Sequence, residues 1–156
     1  VSAAEARGTA APPSKAAPRF DLPEPDAFTQ PYWDAAAEGH LLLRRCGACG
    51  KAHHYPREFC PHCWSEDVTW ERVSGQATLY TWSVVHRNDL PPFGARVPYV
   101  AAVVDLAEGP RMMTEIVDCE EGEGEGELRI GMALEVAFRS EADHAVIPVF
   151  RPRSAR

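Results

Sequence analysis

Hydrophobic and polar positions divide the chain into stretches of different character. From residue 68 onward, apolar and β-branched residues come in short runs: QATLYTWSVVH, VPYVAAVVDL, RMMTEIVD, MALEVAFR and HAVIPVF. Gly, Pro or charged residues separate them, which is the composition of strands and turns. In MALEVAF the alternation puts Met132, Leu134, Val136 and Phe138 on one face and Glu135 on the other. No long helical pattern lies between the runs, so parallel βαβ units are not expected. Five short strands in about 80 residues predict a small closed or nearly closed barrel with few exposed edges. The fold class is mainly β.

Ahead of the strands, DAFTQPYWDAAAEG reads as a short helix within residues 26–40. Asp26 is placed to cap its start and Gly39 to end it, while Pro31 requires the regular turns to begin nearby. Phe28 and Tyr32 stand one turn apart with Trp33 beside them. So short a helix is marginal alone, so these aromatics imply docking, onto the chain's own domain or onto another subunit. Residues 1–25 are rich in Ala and Pro, and prolines at 12, 13, 18, 23 and 25 exclude a regular helix or central strand. That segment reads as a flexible arm.

Between helix and strands lies RCGACGKAHHYPREFCPHCWS, with Cys46 and Cys49 in one CxxC and Cys60 and Cys63 in a second. Each CxxC can wrap two thiolates around one ion, and glycines at 47 and 50 permit the tight turn. Together they complete an all-sulfur tetrahedral shell, suited to zinc or to iron. Four protein ligands leave no open position, so Lewis-acid catalysis is not expected. His62 would have to displace a neighbouring cysteine to bind. His53 and His54, on the connecting loop, are expected at the surface or beside the shell.

Composition narrows the function. The chain has 156 residues, 45% of them hydrophobic, which fits one domain or a small domain with a metal module. A formal net charge of -7 argues against a free-standing nucleic-acid binder. No run approaches the roughly 18 apolar residues of a membrane span, and the opening VSAAEARGTAAPPSKAAP lacks the apolar centre of a secretory signal. With an odd number of cysteines, five, the expected compartment is the cytoplasm. Charge is uneven. Nine acidic residues and one Arg lie between Asp105 and Glu127, whereas Arg44, Arg45, Lys51 and Arg57 surround the cysteines with only Glu58 against them. A phosphate-bearing ligand would meet the cysteine module first.

No nucleophile elbow, HExxH, phosphate-binding glycine loop or dinucleotide fingerprint is present. His86, His144, Asp89, Asp105 and Asp118 form no spaced pair with arguable chemistry, and Cys119 has no evident base. No catalytic residue is assigned. Tyr80, Trp82 and Tyr99 fit either a stacking platform for a single strand or ordinary packing. The loop HRNDLPPFGARVP, residues 86–98, is a connection or a contact surface, and EEGEGEGE, residues 120–127, a solvated turn.

The order PYWDAAAEGHLLLRRCGACGKAHHYPREFCPHCW, GQATLYTWSVVHR, VPYVAAVVDLAEG, IGMALEVAF and IPVFRPR resembles the acyl-CoA-associated OB-fold family with an amino-terminal rubredoxin-like zinc ribbon. The resemblance covers residues 28–153. Together with the arm (1–25) and the docking helix (26–40) read above, it divides the chain further into a zinc ribbon (41–67) and an OB-fold barrel (68–153). Members usually carry a small residue after the second knuckle, where this chain has Trp64 and Ser65. The implied role resembles the small subunit of bacterial steroid side-chain aldolases, beside a thiolase-like large subunit in a heterotetramer that cleaves a β-hydroxyacyl-CoA. Arg44, Arg45, Lys51 and Arg57 are the candidates for the phosphates of CoA or acidic groups of the partner. An autonomous acyl-CoA or lipid carrier and an OB-fold nucleic-acid module are the alternatives.

Overall fold

A computed structural model of the chain describes residues 22–118, 128–141 and 145–153. Most of the arm, Cys119, the Gly–Glu run 120–127 and His144 lie outside the described residues. The helix α1 spans Gln30–Ala37, and eight strands follow: β1 Leu42–Cys46, β2 Ala52–His53, β3 Val68–Arg72, β4 Gln76–Val85, β5 Tyr99–Leu106, β6 Arg111–Ile116, β7 Ala133–Ser140 and β8 Val146–Pro152.

Strands β4 to β8 close a barrel in the order β4-β5-β6-β8-β7, with β7 returning to β4. All its pairings are antiparallel except β6 with β8. Alternation explains the register. In β5, Val100, Ala102, Val104 and Leu106 point inward. In β7, Leu134 is fully buried and Val136 and Phe138 pack on the core, as the pattern predicts. Strand β4 changes phase along its length: Ala77 and Leu79 face in, then Trp82 and Val84. An irregularity between Leu79 and Thr81 absorbs the extra residue and leaves Tyr80 outside.

The second sheet has the order β2-β1-β3. The division expected after residue 67 therefore falls later in the chain. Val68–Arg72 pairs along the whole of β1, and the barrel begins at Gln76. Gly75 makes the turn between the two sheets. Its φ of 72° is left-handed, and a Cβ there would overlap Val136.

The helix also begins later than its cap candidate. Asp26 accepts hydrogen bonds from the backbone and hydroxyl of Thr29, closing a turn ahead of α1. Thr29 is the N-cap, and Pro31 lies in the first turn. At the other end Gly39 has a φ of 79°, and its N–H and that of His40 return to Ala36 and Ala35. Tyr32 and Ala36 are buried against the chain's own β1 and β8, so the helix docks within its own domain. One apolar cluster joins Tyr32, Leu41, Leu43 and Ala52 to Leu79, Val100, Val104, Leu134 and Phe150. Ribbon and barrel share a core.

Candidate functional site

The cysteine pairs form two similar knuckles. In the first, the Gly50 N–H bonds back to the Cys46 carbonyl; in the second, Trp64 bonds to Cys60 in the same way. Both Gly50 and Trp64 have positive φ, 73° and 64°. A left-handed side chain costs roughly 1–2 kcal/mol, which is the physical reason to expect a small residue at this position. Trp64 offsets part of that cost by stacking on Phe59, with ring centroids 5.3 Å apart. It is 74% exposed beside the sulfurs.

The four Sγ atoms lie within 4.8 Å of one another. The Cys46–Cys63 and Cys49–Cys60 sulfurs are each 3.6 Å apart. A tetrahedral zinc thiolate with bonds of about 2.3 Å sets its sulfurs about 3.8 Å apart, so the cage fits the ion. Backbone N–H groups of Cys49 and His62 point at the Cys46 and Cys60 sulfurs at 3.4 Å, as a thiolate requires. No other group of three or more potential ligands is gathered this tightly among the described residues. The cage can hold a metal and staple the loop; filled by four thiolates, it has no open position for substrate.

The basic residues around it separate into two kinds. Arg44 is buried, its guanidinium 4.8 Å from the Trp70 ring and 5.3 Å from Phe28, and it donates to the Val68 carbonyl at 2.9 Å. Burial lowers its pKa. Arg45 pairs with Glu71 and donates to the Gly50 carbonyl. Both hold the ribbon together, and Arg44 is covered from any phosphate. Lys51 and Arg57 stand at the surface.

His53 is buried and His54 half-buried, so neither stands at the surface, the first of the two places expected for them. Ala52 and His53 form the strand opposite β1, and Tyr32 of α1 lies near His54, ring centroids 6.3 Å apart. Burial, with a smaller contribution from His53, pushes the His54 pKa down to about 4. His62 is exposed. The aromatic residues proposed as a platform are dispersed: the Arg111 guanidinium sits 3.5 Å from the Tyr80 ring, Trp82 packs on the core, and Asn88 donates to the Tyr99 hydroxyl. His86 is exposed, and its neighbours Arg87 and Asp89 pair with each other. In the 86–98 loop, Arg96 reaches Glu115 and Glu141, which Arg139 also contacts. That network ties the loop to β6 and β7.

Two clefts flank the ribbon. An apolar one of ≈ 520 Å³ lies between α1 and the barrel, lined by Tyr32, Trp33, Met112, Met113 and Val149. A polar one of ≈ 540 Å³ is lined by Lys51, His53, His62, Glu108 and Arg111. Neither was legible in the sequence, because each draws on separate segments brought together by the shared core.

Comparison with known proteins agrees with this architecture. Residues 33–69 match the family described as "ChsH2, rubredoxin-like zinc ribbon domain" and residues 70–139 that described as "ChsH2, C-terminal OB-fold domain". A solved structure, "Ltp2-ChsH2(DUF35) aldolase", is similar with a TM-score of 0.71 and 32% identity, over 83% of this chain and 98% of that one. A "Probable enoyl-CoA hydratase alpha subunit" of Thermomonospora curvata is 33% identical over 90% of this chain. The match spans 41% of that protein's length. A "DUF35 domain-containing scaffold protein" of Methanocaldococcus jannaschii is 36% identical over 74% of this chain and 82% of its own. Helix, four-cysteine ribbon and closed five-stranded barrel thus recur together, and the chain belongs to the ChsH2-type DUF35 family of zinc-ribbon OB-fold proteins.

Proposed function

We propose that this chain is an accessory subunit of an acyl-CoA-processing complex, and specifically of a thiolase-like aldolase acting on a steroid side chain. The observation that carries the reading is the likeness to the aldolase chain, which extends over 98% of that chain. The reaction breaks the Cα–Cβ bond of a β-hydroxyacyl-CoA. The hydroxyl loses its proton, a ketone forms, and the electron pair passes to the thioester enolate, which is then protonated. The large subunit supplies the groups for those steps. This chain supplies a rigid surface, and Lys51 and Arg57 are its exposed cations for the phosphates of CoA or acidic partner groups. The metal is zinc, the assembly is a heterotetramer, and its compartment is the cytoplasm.

The test is co-expression with a thiolase-like large subunit, followed by measurement of ketone release from a tertiary β-hydroxyacyl-CoA. Stable co-purification and release that depends on both chains are expected. Full activity of the large subunit alone, or failure of the two to associate, overturns the reading.

A further inference from the structure

The described chain starts at Leu22, in a small cleft of ≈ 250 Å³ that Leu22, Pro23 and Pro25 line together with Trp33 of α1 and Val146 of β8. Trp33 also lines the apolar groove between α1 and the barrel, and β8 continues there with Ile147, Pro148 and Val149. The segment ahead of Leu22 therefore joins the fold beside that groove. Tyr32, Trp33, Tyr55 and Tyr99 line the groove with Met112 and Met113. Tyr55 and Met113 are left 60% and 67% exposed. The charged residues of the lining are paired, Arg139 donating to Glu115 at 2.7 Å. Large apolar side chains uncovered around a groove mark a docking site.

The sequence supplies an occupant. Residues 11–21 read APPSKAAPRFD, with Pro12, Pro13 and Pro18 and one aromatic, Phe20. Proline at this density favours the polyproline II form, which has no internal hydrogen bonds and loses little entropy on settling into an aromatic-lined groove. Phe20 is two residues from Leu22, so at most about 7 Å of extended backbone separates them. A phenyl ring is thus within reach of Trp33. A tether this short presents the segment to the groove at an effective concentration on the order of millimolar. Neither a free peptide nor a second copy of the chain matches that at ordinary protein concentrations.

We propose that the groove between α1 and the barrel is the docking site of the chain's own residues 11–21, with Phe20 as the apolar anchor and the prolines on the aromatic lining. The arm then covers Tyr55 and Met113 in the isolated chain, and anything else that enters the groove has to displace it. The assignment is independent of the accessory-subunit reading and stands or falls on the chain alone.

The experiment is nuclear Overhauser spectroscopy on the zinc-loaded full chain with ¹³C-labelled methionine methyls. Contacts between the Phe20 ring and the Met113 methyl are expected. In a mixture of deuterated, methyl-labelled chains with protonated, unlabelled chains, the same contact is expected to be absent, because the arm docks on its own domain. Phe20→Ser is expected to erase the contact and to shift the amides of Trp33, Ile147 and Val149. It is also expected to tighten binding of anilinonaphthalene sulfonate by about tenfold, since the groove no longer carries a phenyl anchor. Adding Met113→Asp removes that gain. Unmoved Val104 and Leu134 amides report that the fold is retained in both variants. The proposal is overturned by the absence of any Phe20 contact in the groove, or by contacts in the mixed sample, which indicate a second copy. It is equally overturned by unchanged dye affinity in Phe20→Ser, or by a gain that survives Met113→Asp.

Discussion

Arg44 shows how burial decides the work of a charged residue. Held between Phe28 and Trp70, it joins the segment before α1 to β3 and satisfies the Val68 carbonyl. Arg44→Ala removes two cation–π contacts and a hydrogen bond, so a loss of about 2–3 kcal/mol is expected in urea unfolding. Arg44→Lys recovers only part of it, because an ammonium lacks the planar stacking face; full recovery by lysine would refute the account. The neighbouring Arg45–Glu71 pair is about a third exposed on both sides, and its removal costs less than about 1 kcal/mol. His54 adds a pH dependence. Its pKa falls from 6.5 unfolded to about 4 folded, first through burial and then through His53. Between those values the unfolded chain binds a proton that the folded chain refuses, so stability falls as pH drops from 6.5 towards 4. The slope approaches about 1.4 kcal/mol per pH unit, for a total of about 3 kcal/mol. Comparing urea midpoints of the wild type and His54→Gln across this range isolates the effect, since metal loss is common to both. Equal slopes in the two proteins would exclude His54 as the cause.

At the scale of elements, the metal cage holds a loop that has little apolar content between Gly47 and Ser65. Complete chelation is expected to disorder the loop between Gly47 and Ser65, while Leu41 and Leu43 stay in the core shared with the barrel, and to weaken whatever docks on the ribbon, because ion binding is folding energy for such a module. Loss of dispersed amide signals from that segment would show it; an unchanged spectrum without metal would contradict it. The cage was legible in the sequence because its ligand spacing is local. So were β5, as a run rich in Val, and β7, whose alternating Leu134, Val136 and Phe138 turn to the core; Val104 and Leu134 are fully buried. Strand β4 was legible as a strand but not in its facing, since the irregularity beside Tyr80 exchanges the inward phase. The sequence of β3 shows β-propensity but not a partner, and Val68–Arg72 therefore read as barrel rather than ribbon. The burial of His53 and His54 was not legible either. For His54 it depends on Tyr32 of α1 coming to lie beside it, and nothing within HHYP encodes that contact.

In the whole molecule, the shared core makes ribbon and barrel mechanically one body. Leu41 and Leu43, at the start of the ribbon, are 2% and 1% exposed and belong to the same cluster as Leu79, Val104 and Phe150 of the barrel. The clefts at the seam keep their shape only if the two halves do not move apart. Leu43→Ala tests this directly. Truncating a fully buried leucine costs about 2–5 kcal/mol through lost transfer energy and residual cavity. If the core is one cooperative unit, amide hydrogen exchange in β5 and β6 loses protection by the same free energy as exchange in β1. A ribbon that opened independently would lose its own protection and leave Val100–Val104 as slow as in the wild type. The first pattern is expected, because Leu43 packs in a cluster that closes around barrel side chains rather than around the cysteines. It also means that a partner binding at the ribbon changes the stability of the barrel, through contacts already present in this chain.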